Sequence, residues 1–414
     1  MVREMRAAVK SRGGAGNGSC SVLVAAFGDA GHAFPAISLG LALRERGHEV
    51  LVETWERWRA PVEAAGLGFT AAEEYTTFPP PKPDSVDGAS ASDAAMALMP
   101  LMERERFDVV VSDILTLAPS LAAEKAGLRR ATLVPHVWPV HEPGLPFFAF
   151  GAMPPRTGLG RALWRRALPV LIGGLERGRE EMNESRAALG LGPTQRLHGG
   201  ISEELALVAT FPQLEYPRAW PRNVHVTGPM WFELPFEDVE LPDGDGPLVL
   251  VAPSTAQDPE CKLVRVALEA LADEPVRVLA TTNRHLPTVP LPPPPANARV
   301  VDWLSYSQAM AAADLVITHG GHGTVARALG AGVPVLCCPA VGDMAENGAR
   351  VAWAGAGLML PWRLMGAGSL RVAVRRLLHE AAFAERAGEI ACWGPSESHG
   401  AARGAELVEA LARA

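Results

Sequence analysis

Leu315-Val316-Ile317-Thr318-His319-Gly320-Gly321-His322-Gly323-Thr324-Val325-Ala326-Arg327-Ala328-Leu329 decides the fold. An apolar run ends in a polar, glycine-rich turn. The turn opens into Ala- and Leu-rich sequence of helical composition. The order is therefore strand, loop, helix N-terminus. Glycines let backbone approach a ligand closely, and the free N–H groups of a first helical turn suit an anion. The stretch predicts a nucleotide diphosphate site that uses no lysine.

Two commoner readings do not fit. The turn is neither GxGxxG, the dinucleotide fingerprint, nor GxxxxGK[ST], the P-loop. His319 and His322 have an H-x-x-H spacing, but no third ligand lies near them in sequence, so no metal is expected. Asp243-Gly244-Asp245 spells D-x-D, yet it sits among Pro and Gly, where a turn is expected.

Working outward, the same strand–helix alternation recurs. Strands are expected at 248–252, 276–280, 298–301, 314–318 and 333–338, with a helix around 259–272. Earlier in the chain, 21–27 reads as a buried strand. Pro35 to Arg46 reads as a helix, with Pro35 in its first turn and Gly47 as its stop. Further strands are expected at 48–52, 107–114 and 131–134, with a helix running to 126. A chain of 414 residues exceeds one ordinary core. The expected class is α/β, in two wound halves with a cleft between them. Pro-, Gly- and Asp-rich 217–247 is the expected linker.

Composition limits the function. Hydrophobic residues make up 48% and charged residues 20%, which is globular; a formal charge of −8 argues against nucleic acid as partner. Five scattered cysteines form neither a disulfide framework nor a CxxC pattern, which fits a reducing cytoplasm. Residues 1–18 read as a loose leader, and no apolar run reaches the length of a membrane span.

Candidate chemistry lies at strand ends. His32, in Gly31-His32-x-x-Pro35, follows the first strand and titrates near neutrality. It reads as a general base, or as a helix-cap neighbour without chemistry. Asp113 ends the Val109–Val111 strand and reads as the carboxylate that orients such a histidine, or as a strand-end cap. Trp303 reads as a base-stacking ring or as core. Residues 135–160, with Trp138, Phe147, Phe148, Phe150 and Met153, read as an apolar ligand-facing segment or a packed surface loop.

Together these residues resemble glycosyltransferase family 1, the inverting GT-B enzymes, and among them actinomycete natural-product enzymes of the calicheamicin-pathway type. The resemblance runs from about residue 20 onward. It rests on Gly31-His32-x-x-Pro35, on Thr318-His319-Gly320-Gly321-x-Gly323-Thr324, and on Gly332-Val333-Pro334 to Gly342-Asp343. It implies two facing Rossmann-like domains: 19–216 for the acceptor and 248–394 for the nucleotide sugar. It also implies a final helix in 395–414 that crosses back. By the resemblance His32 is the base and Asp113 its partner. Ser254, Thr255, His319, Gly320, Gly321, Gly323 and Thr324 hold the diphosphate, and Trp303 stacks on the nucleobase. Asp343 and Met344 meet the sugar. From the aromatic segment itself, Trp138, Phe147 and Phe148 are the expected acceptor contacts.

Two departures from the family pattern bear on the donor. Met344 stands where relatives often carry Gln, and Arg327 where many carry a ribose-binding Glu; Glu346 is the nearby residue able to replace it. Met344 favours a deoxysugar and Arg327 is compatible with TDP rather than UDP, so a TDP-deoxysugar is the expected co-substrate, without cofactor or metal. The expected acceptor is a bulky apolar aglycone, and a homodimer is compatible with the sequence. The rival readings are a nucleotide-sugar 2-epimerase of the same fold and a non-catalytic auxiliary partner.

Overall fold

Strand β1 (Ser21–Ala25) is a run of Val, Leu and Ala with its neighbours on both sides. Such a run forms a strand buried on both faces, as in a parallel sheet covered by helices. The structure is a computed structural model that describes residues 18–72, 90–235, 239–254, 258–284, 287–340, 342–393 and 399–414. Thr255 and residues 1–17 of the expected leader lie outside the described residues.

Seven parallel strands form the first sheet, in the order β3-β2-β1-β4-β5-β6-β7. Beside β1 these are β2 (Glu49–Thr54), β3 (Gly68–Ala71), β4 (Val109–Asp113), β5 (Arg129–Val134), β6 (Leu205–Val208) and β7 (Val224–Val226). The second sheet has six strands, in the order β10-β9-β8-β11-β12-β13. They are β8 (Leu248–Ala252), β9 (Arg277–Thr281), β10 (Ala298–Val301), β11 (Leu315–Thr318), β12 (Val335–Cys337) and β13 (Gly357–Met359). In each sheet the chain winds outward from its first strand, then returns to build the other side. The reversal falls between β1 and β4 in one sheet and between β8 and β11 in the other. Open parallel sheets bind ligands at such switch points, beyond the carboxyl ends of the strands. This is the α/β, GT-B architecture of two Rossmann-like units.

Helix α1 (Ala30–Glu45) starts earlier than the sequence predicts: Asp29 is its N-cap, His32 lies within its first turn, and Pro35 lies inside it. The proline still fixes a helical φ and lacks only one N–H, so the helix carries it near the start. Gly47, just past the end, has φ +88°, the left-handed stop that glycine adopts without a Cβ penalty. The expected linker needs a correction, because β7 lies inside 217–247 and pairs with β6. Three residues suffice for an edge strand, and the surrounding prolines hid it. The chain between Val226 and Leu248 joins the two sheets.

The two halves share apolar surface. Val137, Phe211 and Leu214 of the first pack in one buried cluster with Leu248, Leu250, Val316 and Val335 of the second. The last helix, His399–Ala412, crosses back: Ala401, Ala405 and Val408 join the core of Val22, Val24, Leu39 and Leu43. Its Glu409 accepts from Arg46 Nε at 2.7 Å. Among the described residues no helix is long and apolar enough to cross a membrane.

Candidate active site

The first switch point carries His32 and Asp113. Asp113 is the last residue of β4, and its neighbour Ser112 pairs with Ala25 of β1. Its carboxylate is buried and accepts from the backbone N–H of Phe27 at 3.3 Å and from Thr116 Oγ1 at 3.5 Å. His32 Nδ1 lies 2.9 Å from both Asp113 oxygens. A carboxylate only accepts, so Nδ1 carries the hydrogen and Nε2 keeps its lone pair. Burial pushes the imidazole down, but the Asp113 carboxylate and its hydrogen bond outweigh this, helped by Asp343 and Asp29, so the net shift is upward. The arrangement can take up a proton at Nε2 and hold the resulting cation.

The second switch point carries the glycine-rich turn. Helix α8 (His322–Gly330) begins directly after Gly321, so the N–H groups of its first turn have no intrahelical partner. Gly320 has φ +93°, and a Cβ there would meet the Met344 carbonyl oxygen at 2.8 Å. Only glycine lets this turn press against the helix Asp343–Ala354 (α9). Asn347 of that helix fastens the contact: its Nδ2 donates to the Gly320 carbonyl at 3.0 Å. Sequence reasoning passed over Asn347, although it lies one turn beyond Asp343. His319 is half-buried, and burial pushes its imidazole down, so near neutrality it offers hydrogen bonds rather than charge. Ser254 follows β8 at the same switch point.

The two sites meet. Asp343, exposed at the start of α9, acts electrostatically on His32 and His136 of the first half and on His319 and His322 of the second. His322 Nε2 lies 3.3 Å from the carbonyl of Ala209, at the end of β6. A cleft between the starts of α1 and α8 is lined by Gly31, Phe34, Pro229, Phe232, Gly323 and Arg327. Among the described residues no group of three or more His, Cys, Asp or Glu side chains is placed to hold a metal ion.

Several expectations are corrected. Trp138 is 4% exposed and packs with Val134, Ile201 and Trp220, so it is core. Phe147 is equally buried, against His141, Phe150 and Trp164. Of the three expected acceptor contacts, Phe148 lies beside His136, stacked on it at 5.6 Å. Met344 is 6% exposed and offers no apolar surface to a sugar; Asp343 is the exposed residue of the pair. Glu346 is buried and bonded to Arg350 Nε at 2.8 Å, so it cannot replace a ribose-binding carboxylate. Arg327 instead faces Glu233 at 3.7 Å and donates to the Phe232 carbonyl. Trp303 is half-buried, with the Arg284 guanidinium 4.5 Å over its ring.

Residues 266–409 match the family model of the erythromycin biosynthesis protein CIII-like C-terminal domain. The 4'-demethylrebeccamycin synthase of Lentzea aerocolonigenes is 29% identical over 87% of this chain and 92% of its own. The calicheamicin glycosyltransferase CalG4 superposes with a TM-score of 0.67 at 24% identity, over 95% of this chain and 98% of its own. The glycosyltransferase VinC, solved in complex with DTDP, superposes with a TM-score of 0.65 at 20% identity, over 95% and 99%.

Proposed function

Since the chain is a family 1 glycosyltransferase of the GT-B fold and natural-product type, acting with nucleotide sugars in antibiotic-type pathways, we propose the following reaction. It moves a deoxysugar from a TDP-sugar to a hydroxyl of a bulky, largely apolar aglycone, with inversion. The observation that carries this reading is the His32–Asp113 contact at 2.9 Å, at the switch point of the first sheet.

His32 Nε2 takes the proton of the acceptor hydroxyl as its oxygen attacks the anomeric carbon. The bond from that carbon to the phosphate oxygen breaks, and TDP leaves with the electron pair. Attack opposite the leaving group inverts the centre. Asp113 stabilises the imidazolium. The N–H groups opening α8, with His319 as a neutral donor, meet the charge that grows on the diphosphate. Trp303 supplies a flat face to the base. Apolar contact between the halves limits water at the reacting carbon.

The TDP assignment is supported by Arg327, which turns to Glu233, and by the DTDP complex of VinC; Met344, being buried, no longer supports the deoxysugar. A screen of purified protein against TDP- and UDP-sugars with a panel of aglycones, read by mass spectrometry, tests it. The expected result is transfer from TDP-deoxysugars, lost in His32→Ala while TDP binding survives. Unchanged turnover in that variant would remove His32 from the role of base. Sugar epimerisation without transfer would favour the epimerase.

A further inference from the structure

We propose that His136 is a substrate-orienting residue whose Nε2 accepts a hydrogen bond from a second hydroxyl, one other than the hydroxyl that reacts at His32. The proposal rests on the transfer reading above. Pro135 and His136 leave the sheet after β5, the strand beside Asp113's own. The His136 ring lies 6.1 Å from the His32 ring, at 76° to it. Its other neighbour is Phe148, stacked at 5.6 Å and 28°. The ring is thus held in place beside the base.

Its tautomer is also fixed. His136 Nδ1 lies 2.8 Å from the Val137 carbonyl, which only accepts. Nδ1 therefore carries the hydrogen, and Nε2 carries a lone pair. Burial and the neighbouring His32 charge both push the imidazole down, which keeps that lone pair available near neutrality. Nε2 has no hydrogen-bond partner among the described residues, nor is it among the sealed, unpartnered atoms. It is an open acceptor with a set direction, one ring away from the base.

The reacting hydroxyl has a single hydrogen, and His32 takes it. Whatever hydrogen His136 receives must come from another donor group. Two sources share this chemistry: a hydroxyl or N–H next to the reacting position on the aglycone, or a hydroxyl of the sugar being moved. Asp343 acts electrostatically on His136 from the opposite half, so the ring lies where the two halves approach each other.

His136→Phe keeps a ring against Phe148 and deletes the acceptor; His136→Gln restores an acceptor atom. In the first variant we expect KM for one substrate to rise about tenfold, with a smaller change in kcat. The Gln variant is expected to recover most of the loss. A rise confined to the aglycone names the aglycone as the source; a rise confined to the nucleotide sugar names the sugar. Unchanged kinetics in His136→Phe, Gln performing worse than Phe, or a fall in kcat alone would each overturn the proposal. TDP binding and thermal melting of each variant separate these effects from misfolding. Loss of transfer in His32→Ala beside wild-type behaviour in His136→Phe would sink this inference and leave the transfer reading standing.

Discussion

Arg350 Nη1 meets Glu215 Oε2 at 2.9 Å, joining the two halves of the molecule through a contact exposed by 2% and 4% on its two sides. The guanidinium also bonds Glu346 through Nε and lies 3.9 Å over the Tyr216 ring. Glu215 in turn accepts from the backbone N–H of Trp138 at 2.7 Å. One buried network thus ties the loop after β5 to the helix that begins at Asp343. The two halves of the molecule are set against each other by it.

Removing the arginine leaves two carboxylates buried without their counter-charge. Arg350→Met is expected to destabilise the protein by about 3–5 kcal/mol, read from denaturant unfolding. Adding Glu215→Gln and Glu346→Gln is expected to recover part of the loss, because the stranded charges go with them. Wild-type unfolding in the single variant would show that the network does not hold the halves.

The proposed reaction predicts a pH dependence set by Asp113. As its base, His32 acts when neutral, and its imidazole sits above the ordinary histidine value because Asp113 overcomes burial. Transfer, read as kcat/KM, is therefore expected to fall as pH drops through a value above 6.5. Asp113→Asn removes the carboxylate, so the imidazole titrates lower and the falling limb moves to lower pH. The same variant is expected to lose about 10²- to 10⁴-fold in kcat, through the lost orientation and the lost cation partner. A limb that stays in place in Asp113→Asn would separate it from His32.

The sequence was most legible where local pattern and tertiary role agree. The apolar runs at 21–25, 109–113, 248–252 and 315–318 are the four strands at the switch points, and each reads as a buried strand alone. Candidate residues at their carboxyl ends followed directly. What stayed hidden depends on partners far away in sequence. Trp138 and Phe147 have the composition of a ligand-facing loop, but their burial is decided by Trp220 and Trp164. Glu346 looked available because nothing in its neighbourhood reveals Glu215 on the other side of Arg350. β7 is three residues between prolines, too short to show a period. His136 differs from an ordinary loop histidine only through its distance from His32.

Trp303 offers a test of the nucleotide end. One of its faces carries the Arg284 guanidinium at 4.5 Å, so the proposed base contact falls to the other. Trp303→Ala is expected to weaken TDP binding by about 1–3 kcal/mol, measured by titration calorimetry. Arg284→Ala is expected to cost about 1 kcal/mol or less, through the lost cation–π contact. Tighter binding in Arg284→Ala would mean that guanidinium and base compete for one face.

His322 links the cleft to acid stability. Its ring is buried between Asn347 Oδ1 and the Ala209 carbonyl, each at 3.3 Å, on the contact between the halves. Burial, with His136 nearby, pushes the imidazole down to about 4. In the unfolded chain it titrates near its ordinary 6.5. Between these values the unfolded chain binds a proton that the folded chain refuses. The contribution is therefore present in full above about 6.5 and is lost as pH falls toward 4, on the order of 3 kcal/mol in all. His322→Asn removes the titrating group and leaves the carboxylates common to both proteins. Urea midpoints followed from pH 7 to pH 4 are thus expected to fall less steeply in the variant than in the wild type. Parallel slopes would mean that His322 is protonated equally well in the folded chain, between its two acceptors.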